Sequence, residues 1–104
     1  MLTEAEQNAG VAVLQTYVEQ AEGWEAEFVP ASVYPTAVAD IVNASDAGTD
    51  QSTTGRQTSG QAALRAAIDA TGYGGEVTDQ MCADGASVVL TAVAQVRAQE
   101  KGSS

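Results

Sequence analysis

Apolar side chains in this chain recur at three- and four-residue steps, and an α-helix is the structure that brings such a series onto one face. The clearest case is Val11, Leu14, Tyr17, Val18 and Ala21. Ahead of it, Thr3 and Glu6 stand in the T-x-x-E spacing of a capping box, in which each side chain satisfies a backbone N–H of the first turn. Glu4 and Glu6 also suit the positive end of a helix dipole. A first helix is expected over about 3–22, because Gly23 is a natural residue just past a helix end and Pro30 forbids helix beyond it. Trp24 and Phe28 continue the stripe as a looser aromatic turn.

Pro30 and Pro35 bracket Ala31, Ser32, Val33 and Tyr34, which reads as an extended connector. Pro35 fits the first turn of a second, short helix with Val38, Ile41 and Val42 inward. Residues 43–60 contain only Ser, Thr, Asn, Asp, Gly, Gln, Ala and the lone Arg56, so little apolar burial offsets the entropy of ordering them. A long polar loop or arm is expected there. Ser59 then caps a third helix that ends near Thr71, with Leu64, Ala67 and Ile68 inward and Gly72-Tyr73-Gly74-Gly75 as its stop. The last helix is expected from Thr78 to about Gln99, with Arg97 and Lys101 at its negative end. Met81, Gly85, Val88, Val89, Ala92, Val93 and Val96 share one arc of it, and residues 102–104 read as a tail. The valines between Ser87 and Arg97 leave a C-terminal β-strand, and with it an α+β arrangement, as the alternative. The expected fold is a single all-α domain over 1–104: a small bundle of about four helices with the polar loop between helices 2 and 3.

The apolar residues are mostly small. Twenty alanines and 12 valines outnumber four leucines, two isoleucines, two methionines and five aromatics. At roughly 25 cal/mol per Å² of buried apolar surface, such a core yields less than one built of Leu and Phe. Part of the stability is therefore expected to come from neighbours, in a homo- or hetero-oligomeric assembly.

Charge is distributed one-sidedly. Residues 1–52 hold nine carboxylates and no cation, whereas residues 53–104 hold five carboxylates with Arg56, Arg65, Arg97 and Lys101, for a net −10. An uncompensated acidic half repels nucleic acid and anionic membrane and favours a basic partner. The N-terminus shows neither a basic stretch nor an apolar core of a secretory signal, and no apolar run approaches the ~20 residues of a membrane span. The expected location is intracellular or within a virion, not secreted by a signal peptide, with no membrane and no direct nucleic-acid contact.

Histidine is absent, which closes the usual general base, the Ser–His and Cys–His nucleophile pairs and most zinc sites. The single Cys82 excludes an intramolecular disulfide framework and reads as a small buried hydrophobe. Glu19 and Glu22 read as a solvated helix face. Asp46, Asp50 and Asn43 offer oxygen ligands but lack the spacing of a calcium loop. The Gly-Tyr-Gly-Gly turn lacks the lysine and preceding strand of a phosphate loop, and Asn43-Ala44-Ser45 matches a glycosylation acceptor only in a secreted protein. No catalytic residue, cofactor or metal is expected, and the chain is not expected to be an enzyme.

Two features point to contact with other proteins. Trp24, Phe28 and Tyr34 interleave with Glu22, Glu25 and Glu27, which resembles the aromatic centre and polar rim of an interface. Arg56, in the polar arm, is placed to pair with a carboxylate of a neighbouring subunit. The expected function is a non-catalytic structural or interaction subunit of a larger assembly, such as a head-completion, neck or capsid-associated protein of a phage virion. The alternative is an acidic inhibitor that mimics nucleic acid on a basic protein surface.

Overall fold

Hydroxyl groups fix the starts of three of the four helices. In the computed structural model, which describes residues 2–102, the helices are α1 (Glu4–Gln20), α2 (Val33–Ala47), α3 (Thr53–Thr71) and α4 (Asp79–Gly102). Thr3 and Glu6 close the expected capping box: the Glu6 amide donates to Thr3 Oγ1 at 3.2 Å, and the Thr3 amide donates to Glu6 Oε1 at 3.4 Å. Ser52 accepts from the Gly55 amide at 3.1 Å, and Thr78 from the Met81 amide at 3.1 Å. Two single turns of tighter 3-10 helix, Ala26–Phe28 and Gly74–Glu76, occupy the α1–α2 and α3–α4 connections.

Among the described residues there is no strand, so the all-α arrangement holds and the alternative α+β reading is not needed. The valines of 87–97 lie on α4, where the three- and four-residue repeat outweighs their strand preference. Pro35 is the third residue of α2, where its missing N–H is one of the donors that a helix start leaves free anyway. The segment before it is a turn rather than an extended connector: the Val33 amide donates to the Pro30 carbonyl at 2.8 Å.

The expected long loop is mostly helix. Residues 43–47 complete α2, residues 53–60 begin α3, and only 48–52 connect them. Polar side chains, not apolar burial, order this stretch. The fully buried Ser45 hydroxyl donates to the Arg56 carbonyl at 2.8 Å, which ties the end of α2 to the start of α3. Gln51 Nε2 donates to the carbonyls of Ser45 at 2.9 Å and Gly48 at 2.7 Å, satisfying acceptors that the end of α2 leaves free. Third-helix capping therefore falls to Ser52, seven residues before the expected Ser59. At the other terminus α4 runs on to Gly102, the first residue of the expected tail, while 103 and 104 lie outside the described residues.

Leu14 and Val18 of α1, Ala37, Val38, Ile41 and Val42 of α2, Leu64 and Ile68 of α3, and Cys82, Ala86, Val89 and Val93 of α4 form one core. α2 packs chiefly on α3, α1 on α4, and α3 on α4. Glycines set how close the backbones come. A Cβ at Gly10 would stand 2.5 Å from Val38 Cγ1, and one at Gly85 would stand 2.7 Å from Leu64 Cδ2. These are the crossings of α1 over α2 and of α4 over α3, where the missing side chain leaves the space to Val38 and Leu64.

The long-range polar contacts give the chain direction. Glu6 at the start of α1 and Asp46 at the end of α2 both reach Arg97 near the end of α4. The helices therefore run alternately up and down. The α2–α3 connection lies at the Arg97 end, and the other two connections lie at the far end.

Replacing Gly10 with Ala should destabilise the fold by up to about 2 kcal/mol, because overpacking costs about 1–3 kcal/mol against the roughly 1 kcal/mol gained in helix propensity. Gly75, whose added Cβ meets nothing within 4 Å, is the control. Urea unfolding of both variants reads the difference, and equal stability would contradict the close crossing.

Candidate interaction surfaces

The aromatic group expected at an interface lies inside. Trp24, Phe28 and Tyr34 are 7%, 5% and 5% exposed. Trp24 stands edge-on to Tyr17 with ring centroids 6.1 Å apart, and Phe28 packs on Tyr73 at 5.1 Å. The turn after α1 brings these rings under the ends of the helices, so they close the far end of the core. Glu22, Glu25 and Glu27, interleaved in sequence, point outward and are exposed. A partner that meets this end of the molecule therefore finds carboxylates rather than rings. Trp24 Nε1 is buried without a hydrogen-bond acceptor among the described residues.

Acidic side chains crowd at this end. Hydrogen bonding and repulsion from Glu27, followed by the slight cost of desolvation and repulsion from Glu76, hold the Glu25 carboxyl above its ordinary pKa. Glu25 feels the charge of Glu76 because the α1–α2 and α3–α4 connections share the far end. Among the described residues, none of Glu22, Glu25, Glu27 and Glu76 makes an ion pair. Burial, with the nearby charge of Glu19 adding to it, pushes the Tyr34 hydroxyl up.

The opposite end is organised around Arg97. Its Nη1 donates to Asp46 Oδ1 at 3.1 Å and its Nη2 to Asp46 Oδ2 at 2.9 Å, a two-pronged contact whose planar geometry matches a carboxylate. The same Nη2 reaches Glu6 Oε1 at 3.2 Å. Arg56 Nη2 meets Asp46 Oδ1 at 3.0 Å, and its Nη1 donates to Gln51 Oε1 at 2.9 Å. Glu6, Asp46, Arg56 and Arg97 thus join one residue from each helix. This corrects the expectation for Arg56. It lies in the first turn of α3, paired within its own chain, not on an arm reaching for a neighbour. Arg97, expected to answer the negative end of α4, is instead the hub between α1 and α2.

The charges shift accordingly. The Asp46 carboxyl falls below its ordinary pKa, first because Arg97 hydrogen-bonds it, with Arg56 adding to that against the cost of burial. Burial opposes ionisation of Glu6, but the hydrogen bonds from Arg97 and Thr3 and the charge of Arg97 outweigh it, leaving Glu6 lowered. Arg97 is raised in turn, chiefly by the hydrogen bond to Asp46. Arg65 makes a smaller anchor: it meets Asp79 Oδ1 at 2.9 Å and donates to the Gly74 carbonyl at 2.8 Å, holding the α3–α4 connection.

Other candidates are spent locally. Asp46 is taken up by two guanidiniums, and Asp50 Oδ1 accepts from the Ser52 amide at 2.9 Å. Among the described residues no group of three or more acidic or sulfur side chains is arranged to hold a metal ion. Cys82 is fully buried, and burial, with Arg65 opposing it, pushes its thiol up and away from the reactive thiolate. No described helix is long and apolar enough to cross a membrane. Sequence reasoning missed Glu6, Asp46 and Arg97 as a unit because 51 and 91 residues separate the partners. The sequence singled out Glu6, Asp46, Arg56 and Arg97 separately, each for a local reason, and never as partners.

Both lowered carboxylates give stability that is complete above their unfolded pKa values of about 4 and lost as pH falls through the depressed folded values. Urea unfolding between pH 6 and 2 should show this acid loss, and Asp46→Asn should flatten it; an unchanged acid limb in the variant would contradict the network. Arg97→Gln leaves Glu6 closed from water without its cation and should cost on the order of 2 kcal/mol at neutral pH, below the 3–5 of fully buried pairs because the guanidinium is partly exposed.

Comparison with known proteins finds no family model, no curated protein and no solved structure that matches this chain.

Proposed function

We infer that the chain is a non-catalytic interaction subunit of a larger assembly, held there through its acidic far end. One observation carries this reading. Arg56, Arg65 and Arg97 are all engaged in ion pairs with carboxylates of their own chain, while Glu22, Glu25, Glu27 and Glu76 are exposed and unpaired among the described residues. A basic partner surface would relieve the repulsion that keeps Glu25 raised, and it would do so without disturbing the core. A phage virion component is the finer form of this proposal, with the basic partner being another subunit of the particle.

A second reading is favoured by the pairing of Glu25 with Glu27 beside Glu76, a compact cluster of negative charge that resembles neighbouring phosphates. In that case the partner is a nucleic-acid-binding protein and the chain is its inhibitor. The two readings part on competition: only the second expects added DNA to displace the chain.

The test is sedimentation of the chain from its producing cells at low salt. It should travel in a complex well above its own 10.6 kDa. Changing Glu22, Glu25, Glu27 and Glu76 to Gln together should release it as a folded monomer, with helical circular dichroism unchanged. An exposed acidic contact should also weaken as salt rises past about 0.15 M, where charges are screened beyond ~8 Å. A wild-type chain that sediments alone, or a complex indifferent to the four substitutions, defeats the reading.

A further inference from the structure

The arginine end holds a cleft that the acidic end does not explain. It opens between α3 and α4, has a volume of about 410 Å³, and is lined by Arg56, Leu90, Ala94, Arg97 and Ala98. A smaller hollow continues it along the same seam past Thr53 and Ser87. The lining includes both arginines and neither of the carboxylate residues that hold them. Asp46 and Glu6 approach from the α1 and α2 side, and Glu6 is 4% exposed. Both arginines converge on the single oxygen Asp46 Oδ1, at 3.0 and 3.1 Å, so two cations are fixed side by side, and both residues line the cleft. Neither Nε donates within the described residues, which leaves each arginine a hydrogen to offer.

We propose that this cleft binds a carboxylate joined to a short apolar group. The two guanidiniums take the carboxylate through the hydrogens that Asp46, Glu6 and Gln51 leave free, since charge-assisted hydrogen bonds favour an ionised oxygen. Leu90, Ala94 and Ala98 take the apolar part. A single negative charge fits better than a phosphate dianion, because the four-residue network is already neutral and gains little from a second charge. The volume lies in the range of small-ligand sites. Two sources share this chemistry: a free short-chain acid, and the C-terminal residue of another polypeptide.

The experiment follows backbone amide shifts of the ¹⁵N-labelled chain during titration. The probes are hexanoate, hexanamide, and N-acetyl-Ala-Leu with either a free carboxylate or a carboxamide terminus. Both carboxylates should give saturable shifts at Arg56, Leu90, Ala94 and Arg97, with the amides about tenfold weaker. Tighter binding of the dipeptide assigns the site to a polypeptide terminus, and tighter binding of hexanoate assigns it to a free acid. Arg56→Gln should weaken the carboxylates toward the amides. Ala94→Leu, which fills the cleft from an exposed position and leaves both arginines in place, should remove the shifts while the fold is retained. Equal response to acid and amide, shifts centred elsewhere, or none by about 10 mM would overturn the proposal.

Discussion

Arg97 is the contact through which the four helices agree on their relative placement. A core in which valines outnumber Leu14, Ile41, Leu64 and Ile68 tells helices to approach but says less about register than a leucine-rich one, because small side chains interlock weakly. The guanidinium, by contrast, meets the Asp46 carboxylate on two prongs and Glu6 on a third, and it tolerates little displacement. Buried charge is a poor source of net stability, since desolvation consumes much of the attraction. Its contribution here is a fixed alignment: α1 starts, α2 ends, α3 starts and α4 ends at one level.

The glycine crossings complement that alignment. Gly10, Gly60 and Gly85 bring backbones close enough for Val38, Ile41 and Leu64 to fill the space a larger residue would otherwise occupy. A thin core is thereby packed closely at these crossings. The weakness that remains is in total area, and so the polar ties at Ser45, Gln51 and Thr71 matter more than they would in a Leu-rich bundle. Thr71 shows the pattern: its hydroxyl reaches both the Ile68 carbonyl at 2.6 Å and the Phe28 carbonyl at 3.2 Å, joining α3 to the aromatic turn.

The helical character, the capping box of Thr3 and Glu6, the stop at Gly72 and the inward set of each helix were legible in the sequence, because each is decided within one or two turns. Apolar spacing carries that information directly. The stretch from Asn43 to Gly60 was not legible, because its order comes from side chains bonding to backbone carbonyls of a helix already in place. Ser45, Gln51 and Ser52 look alike in composition whether they line a loop or close two helices. The same holds for the interaction residues. Glu22, Glu25 and Glu27 are at the surface as their polarity suggests, but the burial of Trp24, Phe28 and Tyr34 depends on α3 and α4 folding over them. Glu6, Asp46 and Arg97 had no local signature, since a pair 91 residues apart exists only after the chain has turned back three times.

The alternating course of the helices has a practical consequence for anyone attaching something to this molecule. The first turn of α1 and the last turns of α4 emerge on the same side, around the arginine hub. A tag, label or surface linker attached on the first turn of α1 or the last turns of α4 is thus anchored at that pole, and the glutamate-bearing pole is left facing away, free to meet whatever is offered to it.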